Sequence, residues 1–273
     1  MRPMPELPEV ETVVRALRPR LIGRRFTEVR NYWPRHIDRP DLPALQRRIH
    51  GRAVNALARR GKYILLELSD GEHLIIHLRM SGHLAVVEPD APPDKHTHTI
   101  FRLDDGRELR FRDPRKFGRV YLVTDPDEVL GKLGPEPLAV EFTVAALREL
   151  LHGRRRLLKP LLLDQQVIAG IGNIYADEAL FLARLRPTRH CDTLNDADIA
   201  ALHAGIQAAL REGIAREGAS ISSYVKPDGE KGDMQNAVNV FRRTGAGCYR
   251  CGGTITRILV GQRSTHFCPG CQR

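Results

Sequence analysis

Gly134-Pro135-Glu136-Pro137 divides this 273-residue chain into two halves of different character. Two prolines in four residues, one of them behind a glycine, resist both helix and central strand, so the stretch reads as a linker. Upstream of it, residues 25–124 hold short β-rich runs at 62–68, 73–79, 83–88, 98–103, 107–112 and 119–124. The breaks between them include Ser69-Asp70-Gly71, Ser81-Gly82 and Asp104-Asp105-Gly106. Asp-Gly between two such runs is a hairpin signal. Short strands at this spacing predict an antiparallel sandwich or barrel. A helix over 8–18 precedes them, with Val10, Val13, Val14 and Leu17 on one face. Pro8 suits its first turn, Glu9 and Glu11 its positive end, and Pro19 its stop. Downstream of the linker the pattern turns helical, over 143–151, 157–166, 173–185 and 196–214. The last puts Ile199, Leu202, Ile206, Leu210 and Ile214 on one stripe, with Asp196 as its cap.

Composition narrows the class. Hydrophobic residues at 42% and charged residues at 28% exclude a disordered chain. The 23 Gly and 18 Pro show no period, which excludes a collagen-like one. No apolar run approaches the roughly 20 residues of a membrane helix. Prolines and acids stand where a secretory signal would be apolar, so a cytoplasmic protein without membrane contact is expected. Lys and Arg number 43 against 33 Asp and Glu, a formal charge of +10. That excess suits a polyanionic partner without specifying one. The short runs Arg59-Arg60, Arg154-Arg155-Arg156 and Arg242-Arg243 read as solvated faces.

Four of the five cysteines form Cys248-x2-Cys251, a spacer of sixteen residues, and Cys268-x2-Cys271. Each pair offers two thiolates from one tight turn, and the spacer is long enough for a hairpin, with strands at 254–260 and 264–267, that returns the second pair. Two disulfides or a redox pair are the alternatives; the missing secretory signal speaks against disulfides. One structural zinc is expected, fully ligated by protein and therefore without an open coordination position. Cys191 stands alone and reads as an ordinary thiol. Arg263 sits inside the hairpin, where a metal-braced turn would hold it toward a phosphate or a base edge.

The start of the chain, Pro5-Glu6-Leu7-Pro8-Glu9-Val10-Glu11-Thr12, closely resembles the N-terminus of formamidopyrimidine-DNA glycosylases. The resemblance continues at Gly61-Lys62-Tyr63, at His77-Leu78-Arg79-Met80-Ser81-Gly82 and at Asp113-Pro114-Arg115-Lys116-Phe117-Gly118. It runs on through Gly170-Ile171-Gly172-Asn173-Ile174-Tyr175-Ala176 to Gln262-Arg263-Ser264-Thr265. Endonuclease VIII, a relative that prefers oxidised pyrimidines, typically carries Gly where this chain has Leu7. The purine-lesion branch therefore fits better, and a pyrimidine-lesion enzyme is the alternative.

The resemblance implies an α+β multidomain fold. Its parts would be an N-terminal antiparallel β-sandwich flanked by helices (5–134), a helix–two-turn–helix DNA-binding domain (138–234) and a C-terminal zinc-finger β-hairpin with four cysteine ligands (239–273). It implies a monomeric base-excision repair enzyme without an organic cofactor. This enzyme would remove oxidised purines from damaged double-stranded DNA and cut the strand by β,δ-elimination. Pro5 corresponds to the family nucleophile and Glu6 to its general acid/base. Lys62 and Arg263 correspond to phosphate contacts at the active centre. Met80, Arg115 and Phe117 match the residues that fill the gap left by an everted base. Asn173 at a helix start, whose backbone N–H groups can face a phosphate, and Lys159 are further DNA contacts. The stretch 219–235 matches a mobile lesion-capping loop, with Ser220 and Tyr224 as its candidates. Pro5 is here preceded by Met1-Arg2-Pro3-Met4. An internal proline nitrogen is an amide, so the proline chemistry requires those four residues to be absent from the active protein; with Pro5 blocked, a non-catalytic DNA-binding protein remains.

Overall fold

The computed structural model describes residues 4–90, 92–221 and 224–273. Its first element is helix α1 (Leu7–Leu21), three residues longer than Pro19 predicts. Leu17 and Leu21 are both fully buried, and that burial carries the helix through the proline. Strands β1 (Phe26–Asn31) and β2 (Ile37–Arg39) follow, then helix α2 (Leu42–Ile49). No expectation covered α2, although Asp41 caps it by accepting the Ala44 N–H and Pro43 stands in its first turn.

Seven strands complete the N-terminal half: β3 (Val54–Arg60), β4 (Tyr63–Leu68), β5 (His73–His77), β6 (His83–Val87), β7 (Thr97–Leu103), β8 (Glu108–Arg112) and β9 (Arg119–Val123). They form a four-stranded sheet in the order β1-β7-β8-β6 and a five-stranded sheet in the order β2-β9-β5-β4-β3. All pairings are antiparallel except β2 with β9. The two sheets and α1 enclose one core containing Val10, Val14, Phe26, Leu66, Ile76, Phe101 and Phe111. This is the expected sandwich.

Past a short helix α3 (Asp127–Leu130), the linker is pinned rather than free. Glu136 accepts from the Arg59 and Arg60 guanidiniums and from the Gly61 N–H. Arg59 and Arg60, expected on a solvated face, are thus tied down at the end of β3. Beyond the linker come α4 (Val144–Leu151), α5 (Leu158–Leu162), α6 (Asn173–Leu182) and α7 (Asp196–Ala215). The expected helix over 157–166 stops at Leu162, because Asp164 and Gln165 turn the chain with their side chains on the Gln166 N–H and on the Leu163 and Ile171 carbonyls. α6 ends at Leu182, shortly before Arg184 takes a left-handed φ of 61°. The cap of α7 is Asn195, not Asp196: Asn195 accepts from the Asp198 N–H, and Asp198 answers on the Asn195 N–H. The chain closes with the hairpin β10 (Thr256–Val260) and β11 (Arg263–Phe267), joined through Gly261 and Gln262, both at positive φ.

The cores of the two halves interleave. Leu7 of α1 lies in the helical core with Phe142, Ile174 and Leu202, whereas Tyr224, from beyond α7, lies in the sandwich core. The N-terminal turn of α1 is therefore held by both halves. Leu7→Ala is expected to lower the unfolding free energy by about 3 kcal/mol in urea titration, the cost of a large-to-small change at a fully buried site. A loss below about 1 kcal/mol would show that the turn is not wedged between the cores.

Candidate functional site

That doubly held turn carries Pro5 and Glu6. Both are buried, and Met4 ahead of them lines a cleft of about 980 Å³. Glu6 forms part of the cleft's lining and reaches across to α6. Its Oε1 accepts from the Ile174 N–H at 2.9 Å and its Oε2 from the Tyr175 N–H at 3.3 Å. The helix start expected to face a phosphate therefore already holds a group from the same chain: the Glu6 carboxyl satisfies two unpaired N–H groups of α6. Gly172 makes room for it, since a Cβ there would stand 2.3 Å from the Glu6 carboxyl carbon.

Glu9 fixes Glu6 from behind. Its Oε2 accepts from the Glu6 N–H at 2.8 Å, and its Oε1 accepts from the Tyr175 hydroxyl at 2.7 Å and the Ala219 N–H at 2.8 Å. Burial raises the Glu6 carboxyl most; Lys62 lowers it, the charge of Glu9 raises it, and the two N–H groups lower it. The balance lies at about 7, against an ordinary 4.5. Lys62 is buried too and donates to the Ile171 carbonyl at 2.9 Å. Burial pushes its ammonium below the usual lysine range, with the negative charge of Glu6 opposing and Arg263 adding to the shift. A carboxyl that exchanges its proton near neutrality has the acidity a general acid/base needs.

The cleft is basic. Lys62, Arg79, Arg119, Arg242, Arg257 and Arg263 line it, and among its lining residues Glu6 alone is a carboxylate. Such a wall concentrates phosphates. The apolar Met80 and Phe117 line it as well, with Phe117 half exposed. Arg115 lies with its guanidinium carbon 4.9 Å from the centre of the Phe117 ring, so two of the three expected gap-filling residues meet beside the cleft. Asn173 donates to the Ser264 carbonyl at 3.0 Å, joining α6 to β11, while its Oδ1 is buried without a hydrogen-bond partner among the described residues. Arg79, Lys116 and Gln262, next to Met80, Phe117 and Arg263, all hold left-handed φ between 54° and 61°. Such backbone costs energy, and it aims the neighbouring side chains.

Other expected residues lie elsewhere. Lys159, expected at the DNA surface, is fully buried and ion-paired with Asp177. The other oxygen of Asp177 accepts from the His266 N–H at 3.0 Å and lies 3.1 Å from its ring nitrogen. Lys159 thus helps seat β11 instead of meeting solvent. Ser220 accepts from the Gly232 N–H, and the buried Tyr224 donates to the Glu217 carbonyl at 3.2 Å; neither lines the cleft. Residues 222 and 223 of the expected lesion loop lie outside the described residues, as do 1–3 ahead of Met4. Cys191 is buried, its thiol on the Arg156 carbonyl.

Arg119, Arg242 and Arg257 carry no signal in the sequence that marks them for the site, and Arg79 stands in a quoted motif without being singled out. Arg242 lies in a run that reads as a solvated face, and only the fold turns it to the cleft; its neighbour Arg243 does stack outward, 3.5 Å from the Tyr249 ring. His77 stands in a motif of which the resemblance singles out only Met80. It is buried against Tyr63 and accepts the Arg79 N–H at 3.0 Å, which supports the left-handed turn before Met80.

Cys248, Cys251, Cys268 and Cys271 bring their sulfurs within 4.8 Å of one another. Cys248 and Cys271 stand 3.8 Å apart, Cys251 and Cys268 3.5 Å. A tetrahedral zinc with bonds of about 2.3 Å separates its sulfurs by about 3.8 Å, so the four fit that ion.

Residues 4–120 match the Formamidopyrimidine-DNA glycosylase N-terminal domain, 133–225 the Formamidopyrimidine-DNA glycosylase H2TH domain, and 248–273 a zinc finger found in FPG and IleRS. A formamidopyrimidine-DNA glycosylase of Roseiflexus sp. is 50% identical over 99% of this chain and 100% of its own length. One from Herpetosiphon aurantiacus is 47% identical over 98% and 100%. Among solved structures, a Lactococcus lactis FPG mutant with Fapy-dG containing DNA superposes with a TM-score of 0.91 at 39% identity, covering 98% of this chain and 100% of that one. The Lactococcus lactis Fpg with abasic-site DNA gives the same score and identity over 98% and 99%.

The acidity of Glu6 can be read directly. The fold favours the protonated carboxyl, so its contribution to stability is full below pH 4.5 and is lost as pH rises through about 7. Carbon-13 NMR of the Glu6 side-chain carboxyl should give a titration midpoint near 7. A midpoint near the ordinary glutamate value would contradict the placement of this carboxyl in a desolvated site.

Proposed function

This chain belongs to the formamidopyrimidine-DNA glycosylase family, and on that premise we propose that it excises oxidised purines such as 8-oxoguanine from duplex DNA and then cleaves the strand. The observation that carries the reading is the buried Glu6, with its acidity near neutrality, directly after Pro5 at the wall of a basic cleft. The complexes of the Lactococcus lactis relative with Fapy-dG and abasic-site DNA support the same substrate class.

In this reading the amine of Pro5 attacks C1′ of the damaged nucleotide, and the base leaves with the glycosidic electron pair and takes up the proton that the amine sheds. The ring oxygen departs as the C1′–N iminium forms, and the protonated Glu6 carboxyl supplies its proton. The iminium acidifies the C2′ proton. Its removal expels the 3′ phosphate, and a second elimination releases the 5′ side. An α-amine with a pKa of about 8 is partly unprotonated at neutral pH, which suits a nucleophile. Pro5 has that amine once residues 1–4 are gone. Lys62, Asn173 and Arg263 hold the flanking phosphates, and Met80, Arg115 and Phe117 fill the duplex where the nucleotide has left. The cysteines take one structural zinc, which braces the hairpin that carries Arg263; with four thiolates it offers no site for chemistry.

Borohydride in the presence of an 8-oxoguanine duplex should trap a covalent protein–DNA adduct, and N-terminal sequencing of the trapping-competent protein should begin at Pro5. Full trapping by protein that retains Met1 would defeat the proline mechanism. Faster excision of thymine glycol than of 8-oxoguanine would place the enzyme with the pyrimidine-lesion branch. Cys268→Ser should lose the zinc and bind duplex DNA at least about tenfold more weakly, through misplacement of Arg263. Unchanged affinity would separate the finger from DNA binding.

A further inference from the structure

The wedge residues Met80, Arg115 and Phe117 come from two loops, after β5 and after β8, and one buried carboxylate lies between those loops. Asp113 is fully buried. Its Oδ1 accepts from the Ser81 hydroxyl and from the Arg115 N–H at 3.2 Å, and its Oδ2 accepts from the Gly118 N–H at 2.7 Å. Ser81 is the neighbour of Met80, and Gly118 the neighbour of Phe117, so each of these bonds ends at or beside a wedge residue. Ser81 Oγ itself accepts from the Arg115 N–H at 3.2 Å, which closes the link between the loops. Behind the carboxylate stands His36, fully buried, with Nε2 3.5 Å from Asp113 Oδ2 and Nδ1 3.1 Å from the Thr99 hydroxyl.

Packing brings the loops to this carboxylate. His36 stacks on Phe111 with centroids 4.6 Å apart. The same Phe111 ring leaves no room for a side chain at either loop: a Cβ on Gly118 would stand 2.3 Å from it, and one on Gly82 2.7 Å. Burial would raise the Asp113 carboxyl, but the interactions with His36, Ser81, Gly118 and Arg115 outweigh burial and hold it at about 2, so it is an anion at every working pH.

We propose that Asp113 is the positioning residue of the wedge: it locks the Met80 loop to the Arg115–Phe117 loop so that the three side chains enter the duplex as one body. This rests on the glycosylase reading above. The role differs from plain support of the fold in what it protects. Excision of a base requires the nucleotide to be driven out of the stack and its orphaned partner to be held. An abasic site has no base to evert, so strand cleavage there depends less on the wedge.

The test uses protein with Pro5 as its first residue and compares single-turnover rates on two duplexes, one with 8-oxoguanine opposite cytosine and one with a preformed abasic site. Asp113→Asn turns one acceptor into a donor against the Ser81 hydroxyl or the Gly118 N–H. It should slow lesion excision about tenfold or more, since small misplacements of positioning groups cost that much, while abasic-site cleavage changes less than about threefold. Ser81→Ala removes one tie, keeps the carboxylate and should show the same selective loss at about threefold. If thermal melts show that Asp113→Asn does not fold, Ser81→Ala decides alone. Equal losses on both duplexes, or no loss on either, overturn the proposal while leaving the glycosylase reading intact. A parent enzyme inert on both duplexes overturns that reading and the proposal with it.

Discussion

Glu6 is one carboxylate shared between two helices. Its backbone opens α1 and its side chain closes the exposed N–H groups of α6, with Glu9 and Tyr175 completing the junction. A helix start calls for negative charge, and burial penalises that charge. Burial outweighs the helix start, which leaves the carboxyl near neutral acidity in a place where an ordinary glutamate would be ionised. The sandwich and the helical half cannot slide apart without breaking this junction, so the acidity of Glu6 and the docking of the halves have one physical origin.

Other elements converge on it by equally specific bonds. The linker holds Gly61 through Glu136, and Lys62 follows immediately beside Glu6. On the opposite side, Asp177 on α6 binds Lys159 and His266, and Glu178 accepts from the Asn239, Val240 and Phe241 N–H groups. Adjacent acids on one helix thus seat the hairpin and the segment leading to it, which places Arg263 and Arg242 on the cleft wall. Buried, fully bonded charges of this kind are costly to misplace, and that cost gives the site a single geometry.

The left-handed residues beside Met80, Phe117 and Arg263 follow the same logic in the backbone. Each turn is strained, and each is held by a neighbour: Arg79 by His77, Lys116 by the Asp113 carbonyl, Gln262 by the two-residue turn it shares with Gly261. The rigid parts of the molecule thereby hold three cleft-lining tips at conformations the chain would not choose by itself.

Periodicity and turn residues determined most elements, because alternation and helical stripes are local consequences of one-sided burial. The cysteine spacing determined the hairpin, since tetrahedral ligation restricts which spacers can close. Motifs named Glu6, Lys62, Met80, Phe117, Asn173 and Arg263, all of which line the cleft, and Pro5, which adjoins it between Met4 and Glu6. Local pattern failed where distant burial prevailed: α1 runs through Pro19, α5 stops at a polar turn, and Lys159 sinks to meet Asp177. Arg119, Arg242 and Arg257 look like any surface arginine until the fold gathers them. The sequence by itself determined most of the elements, the metal-ligand set and the chemical types at the site, because those depend on residue identity and short spacing. Only the tertiary structure decided the acidity of Glu6, the burial of Lys159 and the place of Asp113 between two loops, because solvation and charge depend on neighbours far apart in the chain.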